Sequence, residues 1–212
     1  MPATSLQELF VEELRDIYDG EKRLLRALPK MAKAAESEEL QTAFNTHLRE
    51  TERQVSRLEQ VFRGIGQPVR GKKCDGIMGI VEEGNRAMRE LEGPVLDAAL
   101  IAGAQKVEHY EIATYGTLAH FADLLGDERA KNLLGETLDE EKATDAKLNT
   151  LAKSDVNREA LLGAGTEEGD GIAEAASAAT RGVRRAAASR GIASDRGSRG
   201  RSSRRGPGRK RR

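Results

Sequence analysis

Apolar residues recur every three or four positions through four long segments of the chain, and this periodicity is the strongest constraint on its fold. In the first segment the apolar residues are Leu6, Phe10, Leu14, Ile17, Leu24, Leu28 and Met31. Such spacing puts one face of an α-helix into a protein core. β-Sheets rely on aromatic and β-branched residues, whereas only 3% of the residues in this chain are aromatic. The sequence therefore predicts an all-α protein.

Capping residues and glycines indicate the ends of the first two helices. Ser5 and Glu8 have the spacing of a capping box, in which both side chains accept hydrogen bonds from free amides at a helix start. Ser37 is suited to cap a second helix, which should end at Gly64. The short connection between the two helices predicts an antiparallel hairpin.

The next part of the chain repeats this plan. A third long helix should run from about Pro94 to Leu125, and Gly126 separates it from a fourth. Residues 67–93 form a shorter amphipathic segment between the two hairpins. Two antiparallel hairpins joined by a long helical crossover have the connectivity of a ferritin-like four-helix bundle, which we expect over residues 1–155.

Polar residues interrupt all four apolar stripes at a similar depth in the predicted bundle. Glu21 and Glu50 lie about equally far from the first hairpin turn, and Glu108 and Glu141 lie about equally far from Gly126. Packing of the two hairpins should therefore bring these four carboxylates together. Further candidate residues close to them in the sequence are His47, Gln54, His109, Glu111 and Asp145.

Buried carboxylates of like charge are costly in a protein interior unless protons or a cation neutralise them. A dinuclear metal centre accounts for four converging carboxylates, and carboxylate and imidazole ligands suit iron or manganese. We therefore expect two Fe or Mn ions per chain, with Glu50 and Glu141 as bridging ligands and Glu21 and Glu108 as terminal ligands. The alternative is a metal-free network in which these carboxylates pair with Arg or His.

At these residues the sequence resembles the YciE/YciF family of ferritin-like bacterial stress proteins. The matching stretches begin at Asp16, Ala27, His47, Lys73, Asp97, Ala104 and Thr137. They include the specific run Gln-Lys-Val-Glu-His-Tyr-Glu-Ile-Ala over residues 105–113, and the resemblance covers about residues 5–155. It implies a ferritin-like bundle, a homodimer, a di-iron centre and a role in stress, without implying a particular reaction.

The end of the chain differs sharply in charge from the rest. Residues 181–212 contain twelve Arg and one Lys against one Asp, a net charge of about +12, which leaves about −12 for residues 1–180. Large apolar residues are too few from Gly163 onward for a core, so we expect residues 156–212 to be disordered. Such an Arg-rich tail can bind nucleic acid without sequence preference, or it can be a solvated tail or fold back onto the acidic bundle. The candidate contact residues are Arg184, Arg185, Arg204, Arg205, Arg211 and Arg212.

These observations favour one function and leave one alternative. The favoured function is oxidation chemistry on peroxide, dioxygen or Fe²⁺ at a di-iron or di-manganese centre. The alternative is a non-enzymatic stress protein that acts by association, with its basic tail on nucleic acid. The apolar runs are too short to span a bilayer, and the single cysteine, Cys74, cannot form an internal disulfide, so we expect a cytoplasmic protein without membrane contact.

Overall fold

The computed structural model describes residues 4–163, and most of these residues are helical. The helices are α1 (Leu6–Ala34), α2 (Glu38–Gly64), α3 (Asp75–Glu90), α4 (Gly93–Leu124), α5 (Glu128–Leu151) and α6 (Asn157–Gly163). A π-helical segment, Ala152–Val156, connects α5 to α6. Residues 4–163 contain no β-strand, and the all-α prediction is confirmed.

The predicted caps form at both helix starts of the first hairpin. The Ser5 hydroxyl accepts a hydrogen bond from the Glu8 amide at 3.2 Å, and the Glu8 carboxylate accepts one from the Thr4 amide at 2.6 Å. The Ser37 hydroxyl accepts a hydrogen bond from the Leu40 amide at 3.3 Å. These bonds satisfy amides that a first helical turn leaves free, and the predicted starts of α1 and α2 are confirmed.

A glycine and an aspartate make the sharp turn between α4 and α5. Gly126 has a φ of +77°, a left-handed conformation that glycine adopts without steric cost. The Asp127 carboxylate accepts a hydrogen bond from the Ala130 amide at 2.9 Å and so caps α5. The chain reverses within a few residues, and α4 and α5 therefore pack against each other.

The four long helices form a bundle in which each helix packs against two of the others. α1 and α5 each pack against both α2 and α4, while the crossover helix α3 lies against α1 and α4. Buried Asp97 on α4 ties the two hairpins together, because its carboxylate accepts hydrogen bonds from the amides of Glu36 at 2.9 Å and Ser37 at 2.8 Å. This is the predicted ferritin-like connectivity.

The interior of the bundle has three layers, which follow one another along the helices. The upper apolar layer contains Leu24, Leu28, Leu40, Phe44, Ile77, Leu100, Ile101 and Leu148. The lower apolar layer contains Phe10, Leu14, Ile17, Leu58, Phe62, Tyr115, Leu118 and Leu134. Between them lies a polar layer of buried side chains, formed by Glu21, His47, Thr51, Gln54, Glu108, Glu111 and Glu141. The apolar layers hold the four helices together and fix the positions of the polar side chains between them.

The helical part of the chain extends beyond the expected domain boundary at residue 155. The side chain of Val156 is buried in the upper apolar layer, and α6 follows it and packs against α4. Residues 164–212, with the arginines named above as candidates for nucleic-acid contact, lie outside the described residues. Within residues 4–163, no helix combines the length and the apolar character needed to cross a bilayer.

Candidate metal centre

All four long helices contribute to the polar layer, because each apolar stripe is interrupted at the same level of the bundle. The ionisable and amide side chains are Glu21 from α1, His47 and Gln54 from α2, Glu108 and Glu111 from α4, and Glu141 from α5. Each of these residues is more than nine-tenths buried. Their placement therefore agrees with the sequence-based expectation that the core becomes acidic at one depth.

Four of these residues form a compact cluster. His47, Glu108, Glu111 and Glu141 each offer one ligand atom, and these atoms all lie within 4.8 Å of one another. The Nε2 atom of His47 is 3.4 Å from a Glu108 carboxylate oxygen and 3.9 Å from a Glu141 carboxylate oxygen. Three helices thus direct one imidazole and three carboxylates towards a single point.

Most of the potential ligand atoms in the polar layer have no hydrogen-bond partner within residues 4–163. They are Oε2 of Glu21, Nε2 of His47, Oε1 of Gln54, Oε2 of Glu108, both carboxylate oxygens of Glu111, and Oε2 of Glu141. A buried polar atom without a partner costs roughly 1–3 kcal/mol, and a charged one costs more. A metal ion satisfies several such atoms at once, so the residues present fit a cation that takes oxygen and imidazole ligands.

Burial and mutual repulsion change the ionisation of the four buried glutamates. Burial is the main reason why the pKa values of Glu21, Glu108 and Glu111 lie well above their ordinary range, and the negative charge of Glu141 raises them further. Burial also raises the pKa of Glu141, against a lowering effect of His47. In the metal-free protein these glutamates therefore favour protons, which a cation must displace in order to bind.

Hydrogen bonds from neighbouring side chains orient two of the glutamates. The Tyr115 hydroxyl donates to Oε1 of Glu21, and the Gln54 amide donates to Oε1 of Glu141. Each bond engages one carboxylate oxygen and leaves the second oxygen of the same residue without a partner in the described chain. Such bonds restrict the rotation of a carboxylate and are typical of the groups that surround metal ligands.

An arginine network at the edge of the polar layer is not foreseeable from the sequence. The guanidinium of Arg57 on α2 donates to both carboxylate oxygens of Glu140 on α5, at 2.7 and 2.9 Å. Burial is the largest single influence on the pKa of Glu140 and raises it, but the hydrogen bonds and charge of Arg57, with smaller effects of Gln54 and Arg53, together hold the pKa below its ordinary range. The Gln54 amide donates to Glu140 at 3.1 Å as well as to Glu141, and so links the network to the cluster. Only the packing of α2 on α5 brings these residues together, and periodicity within one helix does not indicate it.

Three of the sequence-predicted candidates, Glu50, His109 and Asp145, are not members of the four-residue cluster. The side chain of Glu50, expected as a bridging ligand, is 25% exposed, and its carboxylate lies 3.5 Å from Nδ1 of His47. His109 is 71% exposed, and its Nε2 lies 3.4 Å from Oδ1 of Asp145. These three side chains therefore surround the polar layer rather than point into the four-residue cluster.

The cluster combines two of the expected principal ligands with two of the secondary candidates. Glu108 and Glu141 belong to the first group, and His47 and Glu111 belong to the second. Glu21 is not one of the four, although it lies close enough for its negative charge to raise the pKa of Glu111. Metal ligation by these residues stays a prediction.

Comparison with known proteins gives matches over nearly the whole described range. Residues 5–161 match the family described as Domain of unknown function (DUF892). YciF of Escherichia coli strain K12 is 48% identical over 162 residues, which cover 76% of this chain and 98% of YciF.

Solved structures give the same result. The crystal structure of the E. coli stress protein YciF aligns with a TM-score of 0.70 at 48% identity and covers 73% of this chain and 99% of that one. The structure of YcfI from Rhodopseudomonas palustris aligns with a TM-score of 0.67 at 43% identity and covers 69% and 94% of the two chains. The resemblance found in the sequence is confirmed: the chain belongs to the DUF892 family and is a homologue of the stress protein YciF.

Proposed function

We propose that this protein is a cytoplasmic stress-response protein that holds a dinuclear iron or manganese centre in its polar layer and acts on peroxide, dioxygen or Fe²⁺. The observation that carries the proposal is the set of buried ligand atoms without hydrogen-bond partners. Each such atom is an energetic cost in the metal-free protein, and a cation removes that cost. The description of the homologue YciF as a stress protein supports the physiological part of the proposal.

The proposed ligands are the residues of the compact cluster, together with Glu21 beside it. The cluster consists of His47, Glu108, Glu111 and Glu141. Carboxylate oxygens and a neutral imidazole nitrogen suit Fe²⁺ and Mn²⁺ better than they suit a structural zinc ion, which favours thiolates. When bound, a pair of such ions supplies redox chemistry with oxygen species that amino-acid side chains alone do not provide.

The surrounding residues act by orienting the ligands. Oε2 of Glu50 lies 3.5 Å and the Thr144 hydroxyl lies 3.4 Å from Nδ1 of His47, and these contacts at Nδ1 leave Nε2 directed at Glu108. In this arrangement Glu50 is a positioning residue, in addition to the ligand role that the sequence suggested for it. Tyr115 holds one oxygen of Glu21, and Gln54 holds one oxygen of Glu141, so that the free oxygens are restricted in direction.

Metal analysis of the full-length chain after anaerobic loading with Fe²⁺ or Mn²⁺ tests the proposal. We expect about two ions per chain in the wild type, as in other di-iron carboxylate bundles. The double variant Glu108→Gln, Glu141→Gln keeps the side-chain volumes but removes two charges, and it should lose most of the bound metal while its helical circular dichroism is retained.

The control for this experiment is Glu128→Gln, an exposed substitution on the same helix as Glu141, which should bind as much metal as the wild type. An empty wild-type protein after loading would contradict the proposal. Full metal binding by the double variant would place the metal elsewhere on the chain and would contradict it equally.

Stopped-flow spectroscopy tests the redox part of the proposal separately. Fe²⁺-loaded protein mixed with peroxide should oxidise its iron faster than the same concentration of free Fe²⁺. In the presence of the double variant, Fe²⁺ should be oxidised no faster than free Fe²⁺, because this variant does not hold the ions. Equal rates with and without wild-type protein would favour the non-enzymatic alternative.

A further inference from the structure

A cavity of about 200 Å³ lies directly beside the proposed metal centre. It is lined by residues of α1, α2, α4 and α5, and it includes His47 and Glu108 of the cluster. Both side chains are more than nine-tenths buried, and Nε2 of His47 and Oε2 of Glu108 have no hydrogen-bond partner in the described chain. The cavity therefore has a polar floor formed by two residues of the proposed centre.

The inner walls of the cavity are apolar. They are formed by Leu28, Ala43, Phe44, Ala104 and Leu148. Water gains few hydrogen bonds against such walls, and an apolar cavity of roughly 150 Å³ is known to hold a benzene molecule. Pockets for drug-sized ligands are larger, at about 300–1,000 Å³. The size and the walls therefore fit a molecule with a single ring or a short aliphatic chain.

The carboxylates at the mouth of the cavity are paired with arginines, because Arg57 donates to both carboxylate oxygens of Glu140 and Arg53 lies 3.9 Å from Glu50. Glu50 and Glu140 line the mouth together with Lys147, whose side chain is exposed, and Glu108 adds a third carboxylate at the floor. An anion would lose its hydration against the apolar inner walls and would face the Glu108 carboxyl group at the floor, whereas a hydroxyl group finds oxygen acceptors in the lining. A carboxylate oxygen has two lone pairs, so Glu108 can accept such a hydroxyl even where it also serves as a ligand.

We propose that this cavity binds a small neutral organic molecule that has an apolar ring or chain and one hydroxyl donor, with phenol as the simplest example. The apolar part contacts the inner walls, and the hydroxyl lies towards the floor formed by His47 and Glu108. The inference rests on the proposed function in one respect, since it names the class of molecule that reaches the centre. The binding itself requires only the cavity.

A binding experiment on the full-length protein tests this inference with phenol as the probe and benzoate as its anionic counterpart. Titrations followed by NMR of labelled alanine methyl groups should show saturable phenol binding, with shifts at Ala43 and Ala104. Benzoate should bind at least about tenfold weaker, a difference of about 1.4 kcal/mol, because its carboxylate would lose its hydration among the apolar inner walls.

Substitutions that fill the cavity provide the second test. Ala43→Leu with Ala104→Leu leaves every proposed ligand in place and should weaken phenol binding at least about tenfold. Ala102→Leu on the exposed side of α4 is the matched control and should bind phenol as the wild type does. Each single substitution is measured as well, together with its helical circular dichroism, so that a folding defect in the double variant is recognised.

The outcomes separate this inference from the proposed function, because metal content is measured on the same samples. Phenol binding with the expected pattern in a protein that takes up no metal would refute the metal centre and support the cavity as a phenol site. Metal binding without saturable phenol binding would support the metal centre and refute the cavity as a phenol site. Phenol binding that is unchanged in all folded cavity variants, or benzoate binding as strong as that of phenol, would overturn the inference.

Discussion

The lower apolar layer and the polar layer are built from the same four helices, yet their burial has opposite effects. In the lower apolar layer, Leu14 and Phe62 are fully buried, and such side chains each contribute roughly 1.5–3 kcal/mol of stability. In the polar layer, Glu21 and Glu111 are buried to the same degree, but three of their four carboxylate oxygens have no partner within the described residues. Equal burial stabilises the bundle in one layer and weakens the metal-free bundle in the other.

This difference indicates that the apolar layer serves the fold and that the polar layer serves a function. Replacement of buried charged groups by apolar residues of similar volume is often neutral, or stabilising by about 1–4 kcal/mol. Leucine in the polar layer would therefore give a more stable metal-free bundle than the residues present. The apolar layers above and below supply the stability that offsets the cost of the polar layer.

The largest effect on stability is expected from the lower apolar layer. Phe62→Ala removes a fully buried ring that packs edge to face on Tyr18, and it should lower the free energy of unfolding by about 3–5 kcal/mol. Urea unfolding followed by circular dichroism measures this change. Leu124→Ala, at a site that is 62% exposed, is the control and should change stability by less than about 0.5 kcal/mol. Similar losses in both variants would contradict the assignment of the layer.

The pH dependence of stability should reveal the polar layer. Because burial raises the pKa values of its glutamates, the folded metal-free protein binds more protons than the unfolded chain above about pH 4.5. Its stability should therefore fall as the pH rises from about 5 to about 8, by about 1.4 kcal/mol or roughly 3–6 °C in Tm for each unit of pKa elevation.

Thermal unfolding across this pH range, in chelator and in excess Mn²⁺, measures the effect. With Mn²⁺ the fall should be reduced or reversed, because the metal competes with protons for the same oxygens. A metal-free protein that becomes more stable between pH 5 and pH 8 would be inconsistent with a layer of buried, unpaired carboxylates.

A smaller effect is expected when one charge is removed from the polar layer. Glu111→Gln replaces a carboxylate without hydrogen-bond partners by a neutral group of the same size, and it should stabilise the metal-free protein at pH 8 by about 1 kcal/mol. At pH 5 the gain should be smaller, because the raised pKa of Glu111 favours its neutral form as the pH falls. Glu128→Gln serves again as the exposed control. A loss of stability at pH 8 in Glu111→Gln would show that this carboxylate stabilises the fold without metal.

The smallest effect on either layer is expected from removal of residues 181–212. These residues carry a net charge of about +12, and we propose that they contact nucleic acid without sequence preference. Truncation should leave metal binding and stability unchanged but abolish DNA binding in a gel-shift titration. With six Arg–phosphate contacts, log affinity in the full-length protein should fall with log salt at a slope of about −5. DNA binding retained after truncation, or sequence-selective binding, would contradict this proposal.

The helices and their order are predictable from the sequence because the signals for them are local. Ser5 and Ser37 accept hydrogen bonds only a few residues away, and Gly126 permits a positive φ at the turn where the sequence places it. The apolar stripes show which face of each helix is buried. The position of the polar layer follows from the same stripes, since polar residues interrupt each stripe at one depth.

The membership of the cluster is less predictable, because it depends on helix rotation and on which helices are neighbours. Glu50 stands three residues after His47, which turns it about 60° away on α2, towards the cavity mouth. On α4, both Glu108 and Glu111 are buried, because this helix packs against α1, α3 and α5 and has a wide buried face. His109, which stands between them in the sequence, lies on the exposed side of α4. Sequence spacing alone does not reveal these neighbours.

Anomalous X-ray diffraction from crystals of the iron- or manganese-loaded full-length protein shows directly whether the polar layer holds metal ions. We expect two anomalous peaks in the polar layer, among the side chains of His47, Glu108, Glu111 and Glu141, with Glu21 beside them. The peaks should appear above the absorption edge of the loaded metal and weaken below it. Ordered side chains in this layer without any anomalous peak, or peaks only at surface carboxylates, would contradict a metal centre in the polar layer.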